Sequence, residues 1–195
     1  MTEPCYIFLD VDGVLNSTDW HKRRGPVPGN WTPLFSTYEL DPEACLFLQS
    51  ICDEFQASLV VTSTWRLALT TGEIHDLFVQ RGLTAPVIGS TPDLSRNFID
   101  GLPDGLRGLE VQWWLQKNLP SDEAVCNAKF VCLDDELDYG DLLGKLVQTR
   151  FATGLRRLEG DFMGKHLREP LMNSIAAGGK GRVLFKHDVL GLVPR

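Results

Sequence analysis

Short apolar runs punctuate the chain, and most of them stop abruptly at polar residues. Tyr6-Ile7-Phe8-Leu9 ends in carboxylates, Leu59-Val60-Val61-Thr62-Ser63 in hydroxyls, and Phe130-Val131-Cys132-Leu133 in carboxylates again. Val87-Ile88-Gly89 and Leu146-Val147-Gln148-Thr149 are two further candidates. Runs this short, apolar without alternation, predict strands buried on both faces. Between them the period changes. Asp41-Pro42 supplies an N-cap and an N1 proline for a helix whose Leu48, Ile51, Cys52 and Phe55 share one face. Ile74, Leu77 and Phe78 mark a second helix closed by Gly82, and Val111, Trp114 and Leu115 mark a third. Strands alternating with helices predict a parallel α/β sheet, whose ligand site lies beyond the carboxyl ends of its strands.

Two stretches escape this pattern. Asn16 to Leu40 reads as a long loop rich in Pro and Gly, carrying Trp20, Trp31 and the basic run His21-Lys22-Arg23-Arg24. Its basic run is expected to be a solvated loop segment. Beyond residue 155, Asp161 to Ala177 suits an amphipathic helix and Gly178-Gly179-Lys180-Gly181 a flexible joint. The terminal Leu192-Val193-Pro194-Arg195 resembles the scar of a protease-cleaved tag. The expected organisation is a catalytic domain over 1–155 with a loop or small flap at 16–40, then a helical, basic extension over 156–191.

With 195 residues, 43% of them hydrophobic and 23% charged, the chain can bury one ordinary core; coiled coil, collagen and disordered tail are excluded. No apolar run approaches the ~20 residues of a membrane span, and Met1-Thr2-Glu3-Pro4 lacks the features of a secretory signal. The expectation is a cytoplasmic protein without a membrane partner. Five cysteines, an odd number with no Cys-x-x-Cys pair, suit reduced structural thiols. The net charge of −7 is unevenly spread: residues 1–144 hold 9 Lys/Arg against 22 Asp/Glu, and residues 145–195 hold 10 against 4. The basic end can meet a polyanion or pack on the acidic body.

The strongest chemical signal is Asp10-Val11-Asp12-Gly13-Val14-Leu15, directly after the first strand. Carboxylates at i and i+2 in a strand-to-loop turn can both face the crevice, and Gly13 permits the bend. Such a pair repels itself and calls for a cation; oxygen-only ligands favour Mg2+. A second acidic cluster, Asp134-Asp135-Glu136-Leu137-Asp138, follows the fourth strand and emerges at the same sheet edge. Glu136 and Asp138 also suit the start of a following helix.

These residues resemble the haloacid dehalogenase-like (HAD) phosphohydrolase superfamily. Asp-x-Asp-Gly-Val follows a hydrophobic strand, Ser63 or Thr62 ends the second strand, Arg107 opens a helix, and Asp134-Asp135 ends the fourth strand, in the family's order. More narrowly, Ser63-Thr64-Trp65-Arg66, the segment from Val87 to Pro92, and Arg107-Gly108-Leu109-Glu110-Val111 are similar to HAD domains of RNA-repair "Swiss army knife" proteins. The resemblance covers about residues 5 to 155. It implies a Rossmann-like parallel sheet flanked by helices, without a large cap domain. Asp10 would be the nucleophile that forms an aspartyl-phosphate, and Asp12 the general acid and then base. Ser63, with Thr62 as the alternative, would hold a phosphoryl oxygen, and Arg107 would offset the charge of the transferring group. Asp10, the Asp12 carbonyl and either Asp134 or Asp135 would hold Mg2+. Arg66 is a further candidate for gripping a substrate phosphate.

The function so implied is a Mg2+-dependent phosphatase with a comparatively open site, acting on a nucleotide or nucleic-acid terminal phosphate. A small-metabolite phosphatase, a phosphotransferase or mutase using the same intermediate, and a non-catalytic binding domain on the same fold are the alternatives. Oligomeric state is not legible in the sequence.

Overall fold

The computed structural model describes residues 4–26, 35–95 and 105–155, together with Glu169 and Asn173. Strands β1 (Cys5–Leu9), β2 (Ala57–Val61), β3 (Val87–Ser90), β4 (Lys129–Asp134) and β5 (Leu146–Gln148) form one sheet. Their spatial order is β3-β2-β1-β4-β5, and every pairing is parallel. The helices are α1 (Thr18–Arg24), α2 (Pro42–Phe55), α3 (Thr71–Val79), α4 (Leu106–Asn118) and α5 (Asp122–Cys126).

Alternate residues of each strand serve opposite faces, as the two-residue period requires. Ile7, Leu9, Leu59, Val61, Val131 and Leu133 pack with Leu48 and Ile51 of α2 and Ile74 and Phe78 of α3. Tyr6, Phe8, Val60, Phe130 and Cys132 pack with Val111, Trp114 and Leu115 of α4. On that second face Phe8 meets Trp114 edge-on at 5.5 Å and Phe130 at 5.6 Å, a geometry aromatic rings prefer. Burial on both faces explains why these strands read as continuous apolar runs. Trp114 is a packing residue, as its place on the apolar helix face predicts.

The register positions the site. Cys5 to Leu9 pair in step with Ala57 to Val61 on one side and with Lys129 to Leu133 on the other. The residues that follow Leu9, Val61 and Leu133 therefore emerge side by side: Asp10, Thr62 and Asp134. Two bonds continue the ladder into this layer, from Asp10 N–H to the Leu133 carbonyl at 3.0 Å and from Thr62 N–H to the Leu9 carbonyl at 2.8 Å. β2 ends at Val61 rather than running to Ser63, so both candidate hydroxyls lie in the loop beyond it.

The segment expected as a loop between Asn16 and Leu40 is partly helical. Ser17 caps α1, its Oγ accepting from Trp20 N–H at 3.1 Å, and Thr37–Glu39 form a 3-10 turn. α1 buries no residue, so it carries no apolar period from which to read it. The basic run is not a bare solvated patch. Arg23 pairs with Asp41 at 2.6 Å and Arg24 with Glu39 at 3.2 Å. Trp31, the helix expected over 161–177 apart from Glu169 and Asn173, the Gly178–Gly181 joint and residues 192–195 lie outside the described residues. Among the described residues no second domain stands over the strand ends, and no helix is long and apolar enough to cross a membrane. Cys5, Cys45, Cys52 and Cys132 are buried free thiols, and Cys126 is half-buried.

Candidate active site

At the carboxyl edge of the sheet, Asp10, Asp134 and Asp135 each offer a carboxylate oxygen, all within 4.8 Å of one another. The turn after β1 closes over this cluster. Gly13 has φ +75°, and a Cβ on it would stand 2.4 Å from the Asp135 carboxyl carbon. Backbone conformation and lack of space both exclude any larger residue there.

Among the described residues one guanidinium faces these acids. Arg107, in the first turn of α4, places Nη1 2.8 Å from Asp134 Oδ2 and 3.5 Å from Asp10 Oδ1, with Nε 3.7 Å from Glu136. Burial alone would weaken its charge, but Asp10 and Asp134 outweigh that and push its pKa up. The acids remain under-compensated. Burial first, and the charge of Asp134 second, raise Asp10 from 3.8 to about 7, against the pull of Arg107, the Val11 amide and the Ser63 hydroxyl. Asp135 is raised for the same two leading reasons. Carboxylates on two strand ends, oxygen-only donors that share one guanidinium among the described residues, fit a hard divalent cation.

The two carboxylates at the end of β4 are not equivalent. Asp134 is fully buried and already accepts from Arg107, from the Tyr139 hydroxyl at 2.8 Å and from Glu136 N–H at 2.9 Å. Asp135 is partly exposed and lies under Gly13. The hydroxyls after β2 differ as well. The Ser63 hydroxyl favours the charged form of Asp10 and accepts weakly from Trp65 N–H at 3.4 Å. The Thr62 hydroxyl is buried with no partner among the described residues.

Asp12 stands at the mouth of the site. Its Oδ1 accepts from Asn16 Nδ2 at 2.6 Å and its Oδ2 from Trp65 Nε1 at 3.1 Å. Asn16 in turn accepts from Gly13 N–H at 3.0 Å, so the turn is braced on itself.

Arg66, expected to grip a substrate phosphate, is tied into the protein on several sides. It donates to the carbonyls of Thr62, Thr91 and Pro92 and to Glu110 Oε2 at 2.7 Å. Four of its donors are used inside the protein, so it anchors the turn after β2 to α4. Sequence reasoning also missed Asp138, which belongs to α4 rather than to a helix after β4. Its carboxylate accepts from the amides of Gly105 at 2.6 Å, Leu106 at 3.0 Å and Arg107 at 3.4 Å. It thereby satisfies the orphan donors of the helix that carries Arg107. Gly108 lets this joint close, since a Cβ there would lie 2.2 Å from the Tyr139 carbonyl oxygen. An acid just before Tyr139-Gly140 was visible in the sequence, but the helix it caps starts 32 residues earlier.

A parallel sheet whose central strand delivers Asp-x-Asp beside a second pair of strand-end carboxylates defines a HAD-type hydrolase domain. Comparison with known families narrows this further. The model of the HAD domain in Swiss Army Knife RNA repair proteins matches residues 6–159, and the chain belongs to that family. No curated protein and no solved structure matches it.

Proposed function

We propose that the chain is a Mg2+-dependent phosphatase that acts through an aspartyl-phosphate on Asp10, with a nucleotide or nucleic-acid terminal phosphate as substrate. The observation that carries this reading is the Asp10 carboxylate, buried beside a guanidinium and followed two residues later by a second, more accessible carboxylate. An Asp10 oxygen attacks phosphorus, the bond from phosphorus to the leaving oxygen breaks, and Asp12 gives that oxygen its proton. Asp12 then takes a proton from water as the water oxygen attacks phosphorus, releasing Asp10 and inorganic phosphate. Arg107 offsets charge on the transferring group, and Ser63 or Thr62 binds one of its oxygens. Asp10, the Asp12 backbone carbonyl and Asp135 would hold Mg2+, with Asp134 orienting Arg107. When bound, the ion supplies positive charge for the phosphoryl oxygens.

Lack of a covering domain among the described residues suits a bulky substrate, and membership of a family named for RNA repair supports a nucleic-acid end. The ion pairs of Arg23 and Arg24 favour a second reading, a small-metabolite phosphatase, because those cations are already neutralised locally. Buried free thiols fit a reducing, cytoplasmic setting. The test compares kcat/KM with Mg2+ on a mononucleotide, a terminally phosphorylated oligonucleotide and a sugar phosphate at two salt concentrations. Preference for the oligonucleotide, weakening with salt, supports the proposal; preference for the sugar phosphate transfers it to the second reading.

A further inference from the structure

The backbone turn at Asp10-Val11-Asp12-Gly13 fixes where the Asp12 side chain starts but not where its carboxyl group points. A half-buried Asp left to itself samples several rotamers. Here both oxygens are held: Asn16 Nδ2 donates to one at 2.6 Å and Trp65 Nε1 to the other at 3.1 Å, the latter across 53 residues of chain. Trp65 is itself packed into the core. It is 3% exposed and packs edge-on against Phe35 at 5.3 Å. The next residue, Arg66, ties the same turn to Thr91, Pro92 and Glu110.

The chemistry of the two donors matters. Indole N–H is a neutral donor with no acceptor capacity, so it cannot compete for the proton Asp12 carries. Each carboxyl oxygen has a second lone pair, which leaves room for that proton while both holding bonds persist. We propose that Trp65 is a positioning residue which, together with Asn16, holds the Asp12 carboxyl group where it hands its proton to the leaving-group oxygen. This rests on the phosphatase reading and assigns Trp65 a role in its first half-reaction. As the Asp10 oxygen bonds to phosphorus, the electron pair of the breaking P–O bond stays with the leaving oxygen. An alkoxide leaving group requires the proton from Asp12; a nitrophenolate departs without it.

The experiment measures kcat/KM with Mg2+ for wild type, Trp65→Phe and Asn16→Ala on glycerol 2-phosphate and on 4-nitrophenyl phosphate. This parameter spans steps up to aspartyl-phosphate formation and so isolates proton donation. Each variant should lose about 10-fold or more on the alkyl ester beyond its loss on the aryl ester, a fraction of the ~100-fold or greater effect of a general acid. Equal losses on both esters in a folded variant, or no loss, overturn the assignment. Should Trp65→Phe fail to fold, Asn16→Ala decides the matter: it leaves the Trp65–Phe35 packing in place, and its loss on the aryl ester reads the disturbance from the broken Asn16–Gly13 bond, so only the excess on the alkyl ester counts. Wild-type protein that releases no phosphate from either ester overturns the phosphatase reading and this assignment with it.

Discussion

Arg66 and Glu110 meet at 2.7 Å across 44 residues of chain, with side chains only 7% and 4% exposed. The pair joins the turn after β2 to the middle of α4, so it ties the Trp65 end of the site to the Arg107 end. Removing one partner strands the other charge in the interior, which costs about 3–5 kcal/mol. Arg66→Ala is therefore expected to lower the urea midpoint by that equivalent, with KM for a phosphate ester little changed in the folded fraction. A raised KM at unchanged stability would place Arg66 in substrate binding after all.

The same pair predicts a pH dependence. Burial raises the Glu110 pKa above its ordinary 4.5, and Arg66 pulls it back. A carboxyl raised in the folded state binds more protons there than in the unfolded chain. Its favourable contribution is full below 4.5 and is lost as pH rises through the folded value. Without Arg66 that folded value rises further. The deficit of Arg66→Ala relative to wild type should shrink as pH falls toward 4.5, read from urea midpoints across the range; a deficit independent of pH would contradict it.

Asp10→Asn should separate function from stability. Asp10 is raised from 3.8 to about 7, so its ionisation opposes folding progressively as pH climbs through that window. The amide removes the charge and its repulsion with Asp134. In chelator at pH 8 the variant should be at least as stable as wild type while releasing no phosphate. Near wild-type turnover in the purified variant would remove Asp10 as nucleophile.

Metal linkage gives a prediction that needs no substrate. Mg2+ held by Asp10 and Asp135 would bind only the folded chain, and at 100 times its Kd would add about 2.7 kcal/mol of stability. Wild-type Tm should rise with Mg2+, and Asp135→Asn should lose most of that rise, whereas Ca2+ restores little activity after chelation because its coordination is larger and more flexible. An undiminished Mg2+ shift in Asp135→Asn would transfer the ligand role to Asp134.

Asp138→Ala removes three amide contacts at the start of α4, and loss of a cap costs about 1–2 kcal/mol. Because Arg107 sits in that first turn, turnover should fall more than stability explains, with Asp138→Asn milder since one acceptor oxygen remains. Chemical denaturation and kcat on one sample distinguish this from a merely structural cap, which would leave kcat of the folded protein intact.

The three central strands were legible because they are buried on both faces, and a run such as Phe130 to Leu133 has no other economical use, whereas the edge strands β3 and β5 are only partly buried. Their order and parallel register then bring Asp10 and Asp134 together almost without further information. α1 was illegible for the opposite reason: it buries nothing, and its one strong signal is the Ser17 cap. Arg66 shows the limit of reading charge without geometry. Sequence reveals a guanidinium beside Ser63, but whether it faces phosphate or Glu110 depends on where α4 lies. Trp65 was invisible as a partner of Asp12 because an indole in a turn ordinarily signals packing alone.

The central claim is that Asp10 becomes covalently phosphorylated. Wild-type protein mixed with Mg2+ and a phosphate ester, quenched in acid during turnover, is measured by intact mass and then mapped by peptide fragmentation. The account predicts a fraction carrying one phosphoryl group, localised to Asp10 and missing in Asp10→Asn. An enzyme that turns over with no phosphorylated species, or with the group on another residue, would contradict it.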